Sequence, residues 1–490
     1  MPTSLGSIDH FVVLMLENRS FDHLLGWLRR DDARIDGLTG TETNPVLPAD
    51  PASPVAPVSD TAAFGDPDVD PAHELADVNE QLFGSRAVHA GATPSNAGFV
   101  ASYAAKRQQA GKGAGGGGLI MRGFAPANLP VLSTLAREFA VCDRWFASVP
   151  GPTWPNRFFI HCGWSGGHYD GKFRIYNMRT IYEDLEARQC SWRIYLGAGF
   201  GQALLLEHLY FSGRGNRVLP LADFYRAAQH DQLPNYSFIE PDYFGNDAND
   251  QHPPHDVRHG ETLVARVYGA LRQSPAWTRT LLVVTYDEHG GLYDHVPPPA
   301  GPQYIPNSRH DQDFDFSRLG VRVPAVLVSP FIPRGTVDHT EYDHTSLLAT
   351  LTKRFGLAGQ LSQRTARAAT FEHNLSLAAP RTDAPPSVAS PTLAAARPVP
   401  SRLPLSDLQR DLVTAARGLE AVHLKGVAPS AAMQQTAAPG QEPLTRAQAR
   451  SYVSAVGAAL LARARAGARP AKRVTPRRRR SRRPSSGRPG

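Results

Sequence analysis

Residues 280–299 read TLLVVTYDEHGGLYDHVPPP. The uncharged run Thr280–Tyr286 stops abruptly at Asp287-Glu288-His289, and Gly290-Gly291 lets the backbone turn at once. A short apolar run bounded by turn residues is the pattern of a strand buried on both faces. The same pattern recurs along the chain. Ile8–Leu16 stops at Glu17-Asn18, Tyr236–Ile239 at Glu240-Pro241-Asp242, and Val323–Val328 at Ser329-Pro330. Helical periodicity falls between these runs, at Phe21–Leu28, Leu129–Phe139, Glu261–Arg272 and His344–Phe355. Buried strands alternating with helices predict an α/β fold, a mostly parallel sheet with helices on both faces. Ligands of such sheets bind beyond the carboxyl ends of the strands, where these polar clusters fall.

With 41% hydrophobic and 20% charged residues over 490 positions, the chain is neither collagen-like, nor a coiled coil, nor wholly disordered. Its net charge of +7 is misleading, because residues 471–490 alone carry nine Lys and Arg and no acid. A slightly acidic body thus bears a basic tail. That tail is expected to be disordered and to make peripheral contact with an anionic membrane or nucleic acid. Three cysteines, Cys142, Cys162 and Cys190, are too few for a disulfide framework. No basic-then-apolar leader opens the sequence, so a cytoplasmic location is expected, or a secreted or periplasmic one if the start lies further upstream. No run is long enough to span a bilayer, so no transmembrane segment is expected.

Aromatic residues mark the expected domain boundary. Of 42 in all, only Phe371 and Tyr452 lie in the last 120 residues. A catalytic domain is therefore expected over 1–375, a Pro-rich linker over 376–404, a small Ala-rich helical appendage over 405–468 and the basic tail over 469–490. Two helices are predicted in the appendage, Leu408–Leu424 and Ala447–Ala464. Each is opened by a capping-box pattern, Ser406–Gln409 and Thr445–Gln448. The Gly111–Gly118 run lacks the Lys-Ser/Thr pair of a phosphate-binding loop.

Four clusters carry chemistry. Glu17-Asn18 and Asp287-Glu288 offer oxygen ligands at two strand ends, suited to Mg, Ca or Mn, with Zn tolerated. Taken alone, Glu17-Asn18 also reads as a plain turn before a helix capped by Ser20. The third cluster, SVPGPTWPNR at 148–157, fixes the backbone around Thr153 with three prolines and a glycine. A rigidly presented hydroxyl suits a nucleophile, and a helix cap is the simpler alternative. The fourth, NDQHPPHD at 249–256, presents His252 beside proline, as other loops present His73 and His295. A rival pattern, Gly163-Trp164-Ser165-Gly166-Gly167, matches Gly-x-Ser-x-Gly with Asp287 and His295 downstream, and Phe158–Cys162 could be its strand. The stretch Gly166-Gly167-His168-Tyr169-Asp170-Gly171, however, does not read as a helix start, which the nucleophile elbow requires.

Ile8–Leu28, Phe146–Arg157, Asn249–Pro254, Thr285–Pro299 and Val323–Pro330, in that order, together resemble the bacterial phosphoesterase family. That family comprises non-specific phospholipases C and related acid phosphatases within the alkaline phosphatase superfamily. The resemblance implies an alkaline-phosphatase-like core and one divalent metal ion held by Glu17, Asn18, Thr153, Asp287 and Glu288. It implies Thr153 as nucleophile, with His252 and His73 touching the phosphate or transferring protons. Arg157 and His295 are expected to hold substrate, Arg157 reading equally well as a structural ion pair. The implied substrate is a phospholipid such as phosphatidylcholine, cleaved through a phospho-threonine. The alternative is an acid phosphatase that uses the same site on phosphomonoesters. Trp154 departs from the pattern, which has a smaller polar residue there, often Gln, so the pocket is expected to differ in shape.

Overall fold

In the computed structural model the described residues are 4–88, 91–211, 214–245, 247–299, 314–359, 361–393, 405–434 and 445–467. Eight strands form one sheet: β1 (His10–Leu16), β2 (Ala140–Cys142), β3 (Trp192–Leu196), β4 (Val218–Pro220), β5 (Tyr236–Glu240), β6 (Thr280–Tyr286), β7 (Ala325–Val328) and β8 (Thr336–Asp338). Their order across the sheet is β8-β2-β7-β6-β1-β5-β3-β4. The expected apolar runs make its centre. Every residue of β1, β5 and β6 except His10 is buried, so these strands show no polar alternation. β1 lies between β5 and β6, parallel to both, with Leu16 opposite Tyr286. Glu17 and Asp287 therefore leave the sheet side by side.

One expected strand end is corrected. β7 runs antiparallel to both neighbours, β6 and β2. Its Ser329-Pro330 end thus lies at the edge away from Asp287. Arg322, which precedes β7, comes to the functional edge instead and reaches Asp22 and Asp294. A strand buried on both faces has the same composition in either direction, so only the pairing reveals its polarity.

The predicted helices form with shifted ends, except Phe21–Leu28, which is one α-helical turn at Phe21–Leu24 followed by a 3-10 helix at Gly26–Arg30. Those that bear on the site and its surroundings are α1 (Pro130–Glu138), α2 (Thr153–Cys162), α3 (Val257–Arg272), α4 (Asp407–His423) and α5 (Arg446–Gly467). Glu261 of α3, fully buried, accepts from the backbone N–H groups of Val131 at 2.7 Å and Leu132 at 3.0 Å, closing the start of α1. Burial pushes its carboxyl up to about 7, against those two bonds. Glu261→Ala leaves both donors unpaired and is expected to cost about 2 kcal/mol of stability. Denaturant unfolding checks this, and an unchanged midpoint would mean that the cap contributes nothing.

The expected helical C-terminal region forms as α4 and α5, and it packs on the core. Leu408, Leu412 and Leu419 of α4 and Tyr452, Val456 and Leu460 of α5 belong to the same apolar core as β1, β5 and β6. Gly418 sits so close to the Phe173 ring that a Cβ there would be 2.1 Å from a ring carbon. Arg450 pairs with Asp242, and Tyr452 donates to Glu420 Oε2 at 2.6 Å. Both capping boxes form, with Gln409 N–H donating to Ser406 Oγ and Gln448 N–H to Thr445 Oγ1, each at 3.2 Å. Small residues achieve by close approach what the aromatic count assigned only to large ones. The first part of the Pro-rich stretch lies along α3, where Pro385 and Thr392 carbonyls accept from Tyr268 and Arg258. Residues 394–404 and the basic tail lie outside the described residues. No helix among the described residues is long and apolar enough to cross a membrane.

Candidate active site

Glu17, Asn18, Asp287 and Glu288 are all fully buried at the carboxyl ends of β1 and β6. Asn18 takes a left-handed φ of 53°, a conformation asparagine tolerates. Its backbone N–H donates to Asp287 Oδ1 at 2.9 Å and its Nδ2 donates to Glu288 Oε1 at 2.5 Å. The amide oxygen is thereby turned to Thr153, whose Oγ1 donates to it at 3.4 Å. Gly290 makes this turn possible. Its φ is +63°, and a Cβ would lie 2.2 Å from the Asn18 carbonyl oxygen. Thr153 is the first residue of α2, and Asn156 clamps the loop before it. Asn156 Oδ1 accepts from Val149 N–H at 2.9 Å, and Nδ2 donates to the carbonyls of Val149, Gly151 and Pro152.

Each of the two facing carboxylates is half satisfied. Glu17 Oε1 accepts from Arg157 Nη2 and from Gln202 Nε2, the latter at 2.7 Å. Asp287 Oδ1 accepts from the N–H groups of Asn18 and Glu288. Glu17 Oε2 and Asp287 Oδ2 have no hydrogen-bond partner although buried. Burial pushes the Glu17 carboxyl well above the ordinary range; Arg157 opposes the shift and Asp287 adds to it. Two partnerless carboxylate oxygens, an amide oxygen and a hydroxyl make an all-oxygen donor set that fits a hard divalent cation. Glu288 stands behind them, its Oε2 accepting from Gly290 N–H at 2.7 Å with His289 Nδ1 at 3.2 Å.

Two expected substrate-binding residues are placed elsewhere. Arg157 is almost fully buried beneath Glu17, also donating to the Met15 carbonyl at 3.2 Å, with Nε 3.7 Å from Asp287 Oδ2. It backs the carboxylates, because their buried charge needs a buried cation. His295 lies in a separate network, 2.7 Å from Asp22 Oδ2 and 3.3 Å from Asp36 Oδ1. Burial disfavours its charge, but those carboxylates prevail and push it up to about 10. Asp22, Asp294 and His295 converge closely enough to hold a metal. The buried Arg322 guanidinium already fills that place, donating to Asp22 Oδ1 and Asp294 Oδ1 at 2.9 Å each. A second cation there would meet its repulsion.

The other two histidines do come together, their ring centroids 6.4 Å apart. His252 is fully buried; its Nδ1 donates to the Pro253 carbonyl, and its Nε2 has no hydrogen-bond partner and lies 3.8 Å from Asp70 Oδ2. This loop is tied to β1, because Glu17 N–H donates to the Asp250 carbonyl at 2.9 Å. His73 Nδ1 donates to the Pro71 carbonyl at 2.9 Å. Burial would lower the His73 pKa, but Glu288, Asp70 and Glu74 outweigh it and push it up to about 9.

Sequence reasoning missed Gln202, and also Gln409 of α4, which donates to the Tyr243 carbonyl at 2.9 Å and lies 3.3 Å from His255 Nε2. Gln202 sits in no motif and Gln409 only in the capping box of α4, and both reach these partners through tertiary packing. A cavity of about 950 Å³ opens beside the Thr153 loop, its lining including Glu74, Trp154, Tyr169, Phe173 and Asp411. The Gly-x-Ser-x-Gly reading fails. Phe158–Cys162 is helix, Gly163 is the left-handed cap that ends α2, and Ser165 Oγ donates to the His168 carbonyl. The helix precedes the turn, whereas a nucleophile elbow has its helix after the turn.

A mostly parallel α/β sheet with such an oxygen cluster and hydroxyl at its strand ends is the framework of a hydrolase acting on phosphoester bonds. The model of the Phosphoesterase family matches residues 8–358, and the chain belongs to that family. It is 40% identical to non-specific phospholipase C6 of Arabidopsis thaliana, over 85% of this chain and 81% of the relative. It is 37% identical to non-specific phospholipase C1 of the same plant, over 89% and 84%. Phospholipase C B of Mycobacterium tuberculosis is 28% identical over 82% and 84%. Residues 1–375 are about three quarters of the chain, so a match over 89% of it reaches into α4. Among solved structures, a protein in the alkaline phosphatase superfamily from Vibrio parahaemolyticus is similar at a TM-score of 0.32 and 12% identity, over 48% of this chain and 62% of that one.

Proposed function

We propose that this protein is a metal-dependent phospholipase C that cleaves phospholipids such as phosphatidylcholine through a phospho-threonine on Thr153. The observation that carries the reading is the Thr153 hydroxyl, fixed at the head of α2 and 3.4 Å from Asn18 Oδ1, beside two buried carboxylate oxygens without partners. The names of the relatives support the diester substrate.

Glu17, Asn18, Thr153 and Asp287 would hold one divalent ion, with Glu288 orienting Asn18. When bound, that ion supplies positive charge that lowers the hydroxyl pKa and polarises a phosphoryl oxygen. Thr153 Oγ1, its proton released to solvent, attacks phosphorus in line, forming one P–O bond as the bond to the diacylglycerol oxygen breaks, and it leaves again as the alkoxide when the phospho-threonine is split. His252, held at Nδ1 by a carbonyl, has Nε2 as its free end. Protonated there, it gives its proton to the leaving oxygen and recovers one from the water that then splits the phospho-threonine. His73 stays cationic near neutral pH and balances phosphate charge. Arg157 keeps Glu17 in place.

A side-by-side assay on phosphatidylcholine, a chromogenic diester and a chromogenic monoester, with and without chelator, tests the reading. Chelator-sensitive diester turnover is expected. A strong monoester preference would favour an acid phosphatase working with the same residues, and turnover indifferent to chelator would remove the metal. Glu17→Gln and Asp287→Asn are each expected to lower bound metal and activity together, because hard-cation sites depend on carboxylate charge. Elemental analysis of the purified variants is the check, and full occupancy in both would place the ion elsewhere.

A further inference from the structure

The proposed reaction uses the strand-end cluster and two histidines and leaves the adjoining cavity without an occupant. Three acids, Glu74, Asp170 and Asp411, and three bases, Arg86, Lys172 and Arg318, line it, but they are unevenly paired. Among the acids that line it, Asp170 is paired with Arg174 and Lys172. Among its bases, Arg86 is paired with Asp77 and Glu80, and Arg318 donates to Asn79 and lies over the rings of Phe83 and Phe314. Glu74 and Asp411 are in no ion pair with Lys or Arg among the described residues, and Arg410 is engaged by Asp407. Burial and the nearby Glu74 together push Asp411 up to about 7, with His73 opposing.

Both carboxylates address one place. A Cβ on Gly171 would lie 3.5 Å from Glu74 Oε1, 3.7 Å from Asp411 Oδ2 and 3.7 Å from Cγ of Pro152, the residue before Thr153. Aromatic groups share the lining. Tyr169 and Phe173 are there, and Trp154 is buried with an indole N–H that has no hydrogen-bond partner. Two carboxylates without a Lys or Arg partner, with His73 as a neighbouring cation, stand among three aromatic rings and match an organic cation, which gains from negative charge and ring faces together.

We infer that Asp411 and Glu74, with Trp154, Tyr169 and Phe173, form a subsite for the ammonium head group of a cationic phosphodiester. The inference rests on the phospholipase C reading. It gives α4 a part in substrate selection, through a residue outside the stretch that the family model matches.

The test uses the full-length protein and its Asp411→Asn and Glu74→Gln variants. The substrates are the p-nitrophenyl esters of phosphocholine and phosphoethanolamine, and bis(p-nitrophenyl) phosphate, which has no cation. Each variant should lose about tenfold in kcat/KM on the two cationic esters relative to the third substrate, mainly through KM. The two cationic arms tell a quaternary from a primary ammonium. Equal losses on all three substrates, or an unchanged preference in both variants, would overturn the subsite. Calorimetry asks the same without turnover. The wild-type protein should bind phosphocholine about tenfold more tightly than glycerol phosphate, and Asp411→Asn should not discriminate. Equal wild-type affinities sink the subsite even in an active enzyme. A phosphocholine preference in a protein that cleaves no diester keeps the subsite and sinks the phospholipase reading.

Discussion

Thr153→Ala should lower kcat on a soluble chromogenic diester by at least about a thousandfold, as loss of a nucleophile does elsewhere. The hydroxyl has two tasks in this geometry, attack and completion of the oxygen set, and alanine performs neither. Thr153→Ser keeps the oxygen and should retain part of the rate. The loop is not expected to collapse in either variant, because Asn156 rather than Thr153 makes the four bonds that hold it. Near-normal kcat in purified, metal-loaded Thr153→Ala would end the assignment. Loss of activity with an unfolded circular dichroism spectrum would show a structural role.

Truncation after residue 375 is the second large effect, and the packing reverses what the aromatic count predicts for it. Eight large apolar side chains on α4 and α5, namely Leu408, Leu412, Val413, Leu419, Tyr452, Val453, Val456 and Leu460, are nearly or fully buried. At about 2 kcal/mol each, their loss matches or exceeds the roughly 5–15 kcal/mol that holds an ordinary domain together. The shortened protein should be insoluble or inactive. A chain ending at 467 retains both helices and should behave like the full one on a soluble diester. Thermal unfolding and turnover of the two truncations decide the matter. A soluble, active 1–375 protein would show that the helices are dispensable.

The centre of the sheet was legible because β1, β5 and β6 are buried on both faces, which leaves continuous apolar runs in the sequence. The edges were not. β2, β4 and β8 have three residues each, too few for any periodicity, and are strands only because a neighbour pairs with them. The direction of β7 was invisible because a doubly buried strand reads alike both ways. At the site, strand ends announced Glu17, Asn18, Asp287 and Glu288. Residue type alone could not tell which way a long side chain turns. Arg157 and His295 were therefore recognised as charged groups near the chemistry, and the structure turns one under Glu17 and the other toward Asp22. Helices α4 and α5 were found by their caps, while their docking depends on alanines and glycines whose importance shows only against Phe173 and the core.

The interleaving of strands bears on how the molecule is made. β1 is made well before its partners, residues 236–239 and 280–286. A nascent chain must therefore carry the bare run FVVLML for more than two hundred residues of synthesis. Such a long-range pairing folds slowly and offers a sticky target for chaperones or for other unfinished chains. Glu17 does not meet Asp287 until β6 has emerged, and the wall formed by α4 arrives later still. The catalytic cluster is thus incomplete, and the hydrolase inert, until β6 has been made.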